Sequence, residues 1–357
     1  MIRVLLINQG KIPHYRISVY SYLTSYLQRY GFELIVASAG IESGNTHAIE
    51  FQYAEISPSS LNLLRFICRQ RIDIIIFWVN LKHLYLIPTY FATKIVMRKK
   101  IIYWGHGRDL LDRDARIKNL AYAVQQALCD AIILYAEHLK KYVPDRFHKK
   151  VFIANNTLYM DYRGLPPGIT KEKVLSKYGV KTKRNIICMG RMQKRKRIDV
   201  LVKALDCMGR PDIGLILVGP DPQGVLDEVK GDNIYKLGPI YGEQRFELLS
   251  SADIYCLPGA VGLSIVDAFY CGLPIVTEDG DESPEIMYLK DGVNGFIVPR
   301  GDVQQLAAKL LLLLGDDLMR ERFSREARKE IMTNGHIDKM CHGFSDALRF
   351  VCSRRSA

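Results

Sequence analysis

Short apolar runs rich in β-branched residues recur along the chain, separated by stretches in which the apolar positions return every three or four residues. The first group of runs covers 2–8, 32–39, 73–80, 100–105 and 130–136. Each is almost continuously apolar and does not alternate, which is the pattern of a parallel sheet covered by helices on both faces. Between the first two runs, Val19, Tyr20, Leu23, Tyr26, Leu27 and Tyr30 fall at helical spacing, and Gly31 stands where a helix stop belongs. One β-α-β unit follows directly. After a Gly- and Pro-rich break at 162–168 the rhythm restarts, with strands expected at 185–190, 213–219, 234–238, 253–259, 274–277 and 296–299. Helices are expected at 303–314 and 316–332, and a last segment from His336 to Cys352 is too long for a frayed tail. The expected architecture is α/β, with two doubly wound Rossmann-like domains facing across a cleft. Residues 1–165 would form the first domain and 166–335 the second, with 336–357 packing back toward the first.

Composition adds bounds to this picture. A chain of 357 residues with 48% hydrophobic side chains can fill two cores. The eight cysteines form no CxxC pair and mostly sit in apolar stretches, so reduced thiols are expected rather than a zinc site. No export signal is visible at the N-terminus and no apolar run reaches the roughly 20 residues of a membrane span, so a cytoplasmic location is expected. The net charge of +12 is uneven: residues 1–165 hold 22 Lys+Arg against 12 Asp+Glu, while the remainder holds 28 against 26. The first half therefore favours an anionic partner. No nucleic-acid motif is present, which leaves anionic lipid headgroups or a phosphate-bearing acceptor, with a solvated basic face as the bland alternative.

Ligands of open α/β sheets sit beyond the carboxyl ends of the strands. The first such loop, QGKIPHYR, lacks the GxGxxG spacing of a dinucleotide site, which argues against a dehydrogenase. His14, Tyr15 and Arg16 stand there instead, as acceptor-side candidates or as helix-capping and surface residues. Farther on, GRMQKRKRID places Arg191 at a strand exit and Lys196 near the start of a helix from Ile198. Two cations beside a helix start suit a diphosphate, although such clusters are commonly solvated.

The stretch LPGAVGLSIVDAFYCGLPIVT joins a strand, a tight small-residue turn, a helix and another strand. Together with GRM followed by Lys196, and with LILVGPDP, it resembles the GT-B glycosyltransferases of the retaining family 4 group, over most of the chain. The resemblance implies a nucleotide-diphosphate sugar as substrate, with Arg191 and Lys196 on the diphosphate and the turn at Val261, Gly262 and Leu263 beside the phosphates. That family carries two glutamates separated by seven residues, toward the sugar and toward the ribose. Here Gly259 and Asp267 occupy those positions. Asp267 keeps a carboxylate for ribose hydroxyls, while Gly259 offers no side chain. Glu278, Asp279, Asp281, Glu282 or Glu285 could substitute. His106, in IIYWGHGRDL, resembles the family's strand-end histidine beside the donor sugar.

These residues lead to an expected hexosyltransferase. It would take a UDP- or GDP-sugar, act on a lipid-linked or polysaccharide acceptor with retention, and work at the inner face of the membrane. His106, Arg191 and Lys196 would be the catalytic groups. No cofactor is expected, and no metal, on the reading that no Asp-x-Asp pair stands at a strand exit. A catalytically silent nucleotide-sugar-binding protein is the alternative, and an epimerase or phosphorylase on the same fold a third.

Overall fold

The computed structural model describes all residues except 43–47, 78, 80, 81, 111–115, 162, 163, 281, 282 and 354–357. The chain divides into two compact units, Met1–Tyr159 with His336–Ala357, and Met160–Gly335. In the first unit, strands β1 (Ile2–Ile7), β2 (Phe32–Ser38), β3 (Gln52–Glu55), β4 (Ile74–Ile76), β5 (Lys100–Gly105), β6 (Ala131–Leu134) and β7 (Val151–Ile153) form one sheet in the order β3-β2-β1-β4-β5-β6-β7. Every pairing in it is parallel. Helices α1 (His14–Gln28), α2 (Ser60–Arg69), α3 (Leu86–Phe91) and α4 (Arg116–Leu128) connect the strands. Val4, Leu5 and Leu6 have no exposed surface, because helices cover both faces of the sheet and neighbouring side chains point to opposite faces. The helix α1 buries Val19, Tyr20, Leu23, Tyr26 and Leu27, and Gly31 follows it at φ +83°, a backbone conformation that side chains resist.

The second unit repeats the plan. It contains α5 (Lys171–Lys177), β8 (Arg184–Met189), α6 (Ile198–Met208), β9 (Ile213–Val218), β10 (Ile234–Lys236), α7 (Glu243–Ser251), β11 (Ile254–Cys256), α8 (Ser264–Tyr270), β12 (Ile275–Glu278), β13 (Gly295–Val298), α9 (Val303–Gly315) and α10 (Asp317–Thr333). The sheet order is β10-β9-β8-β11-β12-β13, again parallel throughout. Strand order reverses between β8 and β11, and in such sheets the crevice at that reversal is where ligands bind.

The last helix, α11 (Ile337–Ser353), belongs to the first unit. Its Met340, Cys341, Phe344, Leu348 and Val351 enter the core around β6 and β7. Phe344 meets the Trp104 ring at 5.0 Å, and Tyr22 Oη donates to Asp338 at 2.6 Å. Gly343 lies against the Ile153 carbonyl, where a Cβ would collide. Two strands depart from the sequence expectation. Both β3 and β7 are absent from it, since β3 is a half-exposed edge strand without an apolar run and β7 an edge strand of only three residues. The expected strand at 73–80 shrinks to Ile74–Ile76. Five cysteines are buried, but Cys68 and Cys207 are exposed.

Candidate functional site

The strand-order reversal of the second unit places two loops side by side. After β8, Gly190 turns at φ +135° and its N–H donates to the Val218 carbonyl at 2.8 Å. Arg191 then emerges exposed, Met192 is buried, and the chain reaches α6 through Lys194–Lys196 and a left-handed Arg197. After β11, residues 257–263 approach this loop from the other side. Gly259 N–H donates to the Lys196 carbonyl at 3.1 Å and Ala260 N–H to the Arg195 carbonyl at 3.3 Å. Lys196 is 8% exposed, and its ammonium donates to the carbonyls of Ala260 and Val261. The lysine therefore sits beneath the turn and fixes its carbonyls inward.

This interlock explains the residue at 259. A Cβ there would fall on the Arg195 carbonyl oxygen and within 2.8 Å of the Lys196 Cα. No side chain fits, so the position at which the glycosyltransferases that the sequence resembles carry their first glutamate is closed by the neighbouring backbone. Gly262 continues the turn at φ +62°, donating its N–H to Ser283 Oγ at 3.3 Å, and Leu263 leads into α8. Ser264 Oγ donates to the Val261 carbonyl at 2.7 Å.

Asp267 lies farther along α8, and its carboxylate meets the Arg245 guanidinium of α7 at 3.3 Å. Burial raises the Asp267 pKa and Arg245 opposes the rise. Arg245 escapes sequence reasoning because nothing in EQRFELLSS distinguishes it from a surface cation. Among the acidic candidates, Glu278 is already engaged. It is 2% exposed at the end of β12, where it pairs with Arg197 Nε at 2.5 Å and accepts from Gly301 N–H at 2.7 Å. It thus ties three loops together. Asp279 is exposed, Glu285 is buried, and Asp281 and Glu282 lie outside the described residues. One sequence reading needs correction: Asp279 and Asp281 do form an Asp-x-Asp spacing at the exit of β12. Asp279 Oδ1 accepts from Gly280 N–H at 2.6 Å.

In the first unit, His14, Tyr15 and Arg16 form the first turn of α1 rather than a loop, because Pro13 stands at the helix cap with φ −65°. His14 Nδ1 lies 4.0 Å from Glu42, and its ring meets Tyr15 edge-on. Arg16 is 8% exposed, donates to Asn156 Oδ1 at 2.8 Å and lies 5.6 Å from the Trp104 ring centroid. His106 follows β5 and packs against the Tyr135 ring at 4.7 Å. The next residue, Gly107, turns at φ +84°, with its N–H on Tyr103 Oη at 3.1 Å and its carbonyl accepting from Gln126 at 2.7 Å.

Burial first, and the Arg16 charge second, push the His106 pKa down to about 4 from 6.5, with Asp109 opposing. The neutral imidazole is therefore favoured at pH 7. The unfolded chain protonates this histidine below pH 6.5, while the folded chain resists until about pH 4. Stability should therefore fall as pH drops through that window, by on the order of 2 to 3 kcal/mol for this residue. Denaturation midpoints of the wild type and His106→Gln between pH 7 and 4 measure the difference. An identical slope in both proteins contradicts the placement of His106.

Residues 170–330 match the family model described as Glycosyl transferases group 1. The phosphatidyl-myo-inositol mannosyltransferase of Mycobacterium leprae is 32% identical over 152 residues, which is 39% of this chain and 40% of that protein. The chain spans about two fifths of the length of the curated mannosyltransferases it matches. Among solved structures, a glycosyltransferase from Rickettsia africae superposes with a TM-score of 0.79 at 16% identity, covering 98% of both chains. HepE of Anabaena, solved in complex with UDP-glucose, gives 0.76 at 16% identity over 98% of this chain and 100% of that one. Both likenesses establish the GT-B fold.

Proposed function

Taking residues 170–330 as a group 1 glycosyltransferase domain, we propose that the chain moves a hexose from a nucleotide-diphosphate sugar to a lipid-linked or polysaccharide acceptor, with retention of the anomeric configuration. The observation that carries this reading is the Lys196 ammonium locked beneath the Ala260–Val261 turn at the strand-order reversal, with Arg191 exposed at the same strand exit. Departure of the nucleotide builds negative charge on the diphosphate, and fixed cations stabilise that charge more as the glycosidic bond lengthens. Arg191 and Lys196 supply it. Asp267, oriented by Arg245, accepts from the ribose hydroxyls. Neutral His106 hydrogen-bonds the transferring sugar, and His14, Tyr15 and Arg16 face the acceptor. In this reading no metal takes part, and the enzyme works in the cytoplasm at an anionic membrane surface.

Nucleotide binding tests the reading most directly. A ligand that binds only the folded state raises its melting midpoint, by about 2.7 kcal/mol of stabilisation at a hundred times Kd. UDP or GDP is expected to raise the midpoint saturably, and ADP and TDP to do so less. A flat response to all four overturns the proposal. The rival reading, a silent nucleotide-sugar-binding protein, is favoured by the closed position at Gly259. Release of sugar or transferred product from any UDP- or GDP-sugar excludes it.

A further inference from the structure

A cavity of about 710 Å³ opens in the second unit at the amino ends of β8, β11 and β12. Arg184 begins β8, Asp253 precedes β11 and Pro274 precedes β12, and all three line it. Arg191 and the Gly262 turn stand beyond the carboxyl ends of the same sheet. Strand β8 spans six residues, so at about 3.3 Å per residue roughly 17 Å of strand separates its two ends. The volume falls within the roughly 300 to 1,000 Å³ that small-molecule sites occupy.

The lining is cationic. Lys171, Lys181, Lys183, Arg184, Arg320 and Arg328 stand against three carboxylates, those of Glu172, Asp253 and Glu321. Asp253 is already engaged: it accepts from Asn185 N–H at 2.8 Å and lies 3.5 Å from Arg184 and 4.0 Å from Arg320. Glu172 and Glu321 are exposed. Along α10, Arg320, Ser324 and Arg328 recur every four residues, so one face of that helix meets the cavity. Arg328 Nη2 donates to the Cys271 carbonyl at 3.2 Å. A Cβ on the next residue, Gly272, would come within 2.6 Å of both Arg328 Nε and Ser324 Oγ, so guanidinium and hydroxyl converge over a residue without a side chain. Lys181 and Lys183 enter from the segment ahead of β8. Lys181 N–H donates to Tyr235 Oη at 3.1 Å and Thr182 Oγ1 to Asn185 Oδ1 at 2.6 Å, which fixes that segment.

We propose that this cavity is a second ligand site of the unit, for a small phosphorylated molecule such as a sugar phosphate or a nucleoside monophosphate. Guanidinium forks and ammonium groups are the side-chain partners that phosphoryl oxygens take, and the Ser250 and Ser324 hydroxyls in the same wall suit the hydroxyls of the remainder. A neutral sugar would leave the surplus of positive charge unanswered. Inorganic phosphate would leave most of the volume to water. The nucleotide site proposed above lies at the other end of the strands, so this cavity holds a different molecule, and it stands whether or not the chain transfers sugar.

Melting curves and calorimetric titrations of the full chain with glucose 6-phosphate, fructose 1,6-bisphosphate and AMP, each with and without saturating UDP, test the assignment. At least one probe is expected to bind saturably and to raise the midpoint. That binding should persist in UDP, while glucose and inorganic phosphate at equal concentration should do far less. Lys181→Gln with Lys183→Gln should weaken the probe by about tenfold or more, since two charge-assisted contacts are lost. Both lysines are exposed, so the midpoint without ligand and the UDP response should stay at wild-type values. Arg328→Glu, which reverses a charge on α10, should abolish probe binding. The site is overturned by a flat response to all three probes, by displacement of the probe with UDP, by an equal response to inorganic phosphate, or by unchanged affinity in the lysine variant. Probe binding without a UDP response removes the transferase reading alone, and a UDP response without probe binding removes this site alone.

Discussion

Gly259→Ala should destabilise the second unit by about 3 kcal/mol or more, beyond the usual cost of an added methyl in a packed interior, because the obstacle is backbone rather than a side chain that can turn aside. The new Cβ would strike the Arg195 carbonyl and crowd the Lys196 Cα at 2.8 Å. Relief requires the β8–α6 and β11–α8 loops to part, which breaks the Gly259–Lys196 and Ala260–Arg195 hydrogen bonds. Gly259→Glu, which introduces the glutamate of the glycosyltransferases that the sequence resembles, should cost at least as much and should not raise sugar transfer. Urea midpoints and turnover of both variants decide this. A Gly259→Glu protein as stable as wild type, with faster transfer, would show that the loops separate readily and that the closed position is not the working one.

Replacing Arg191 and Lys196 together by alanine should lower kcat/KM for the donor by about a hundredfold or more, taking roughly 1.5 to 3 kcal/mol for each charge-assisted hydrogen bond and 1.4 kcal/mol for each factor of ten. The single variants separate two roles that the double variant merges. Arg191 is exposed, so Arg191→Ala should leave the melting midpoint close to wild type while reducing donor use. Lys196 is buried and holds the Ala260–Val261 turn, so Lys196→Ala should reduce both stability and donor use. Steady-state kinetics and melting curves of all three proteins provide the comparison. Unchanged donor kinetics in the double variant would refute the placement of the diphosphate.

Much of the fold is legible in the sequence, and the parts that are not share a cause. Strands such as Ile213–Val218, buried at every position, announce themselves as continuous apolar runs. Edge strands such as Gln52–Glu55 bury little, so selection for apolar side chains is weak and no run appears. His14, Tyr15 and Arg16 look like a loop because their side chains are polar, although Pro13 ahead of them is a helix-start signal that could have placed them in α1. The site divides in the same way. Arg191 and Lys196 stand out by composition and position, whereas Arg245 gains its place beside Asp267 from the packing of α7 on α8.

By itself the sequence determined the two doubly wound parallel sheets, the strand exits that carry Arg191, Lys196 and the Gly262 turn, and the absence of a side chain at Gly259. Those features are local: apolar periodicity, turn residues and residue identity are written within a few positions of one another. The tertiary structure alone decided that Gly259 is glycine because the backbone of residues 195 and 196 occupies its side-chain space. It also decided that Glu278 is consumed by Arg197 and Gly301. Each of these depends on which distant segments the fold brings into contact, and hydrophobic patterning along one segment carries no information about the backbone that will lie against it.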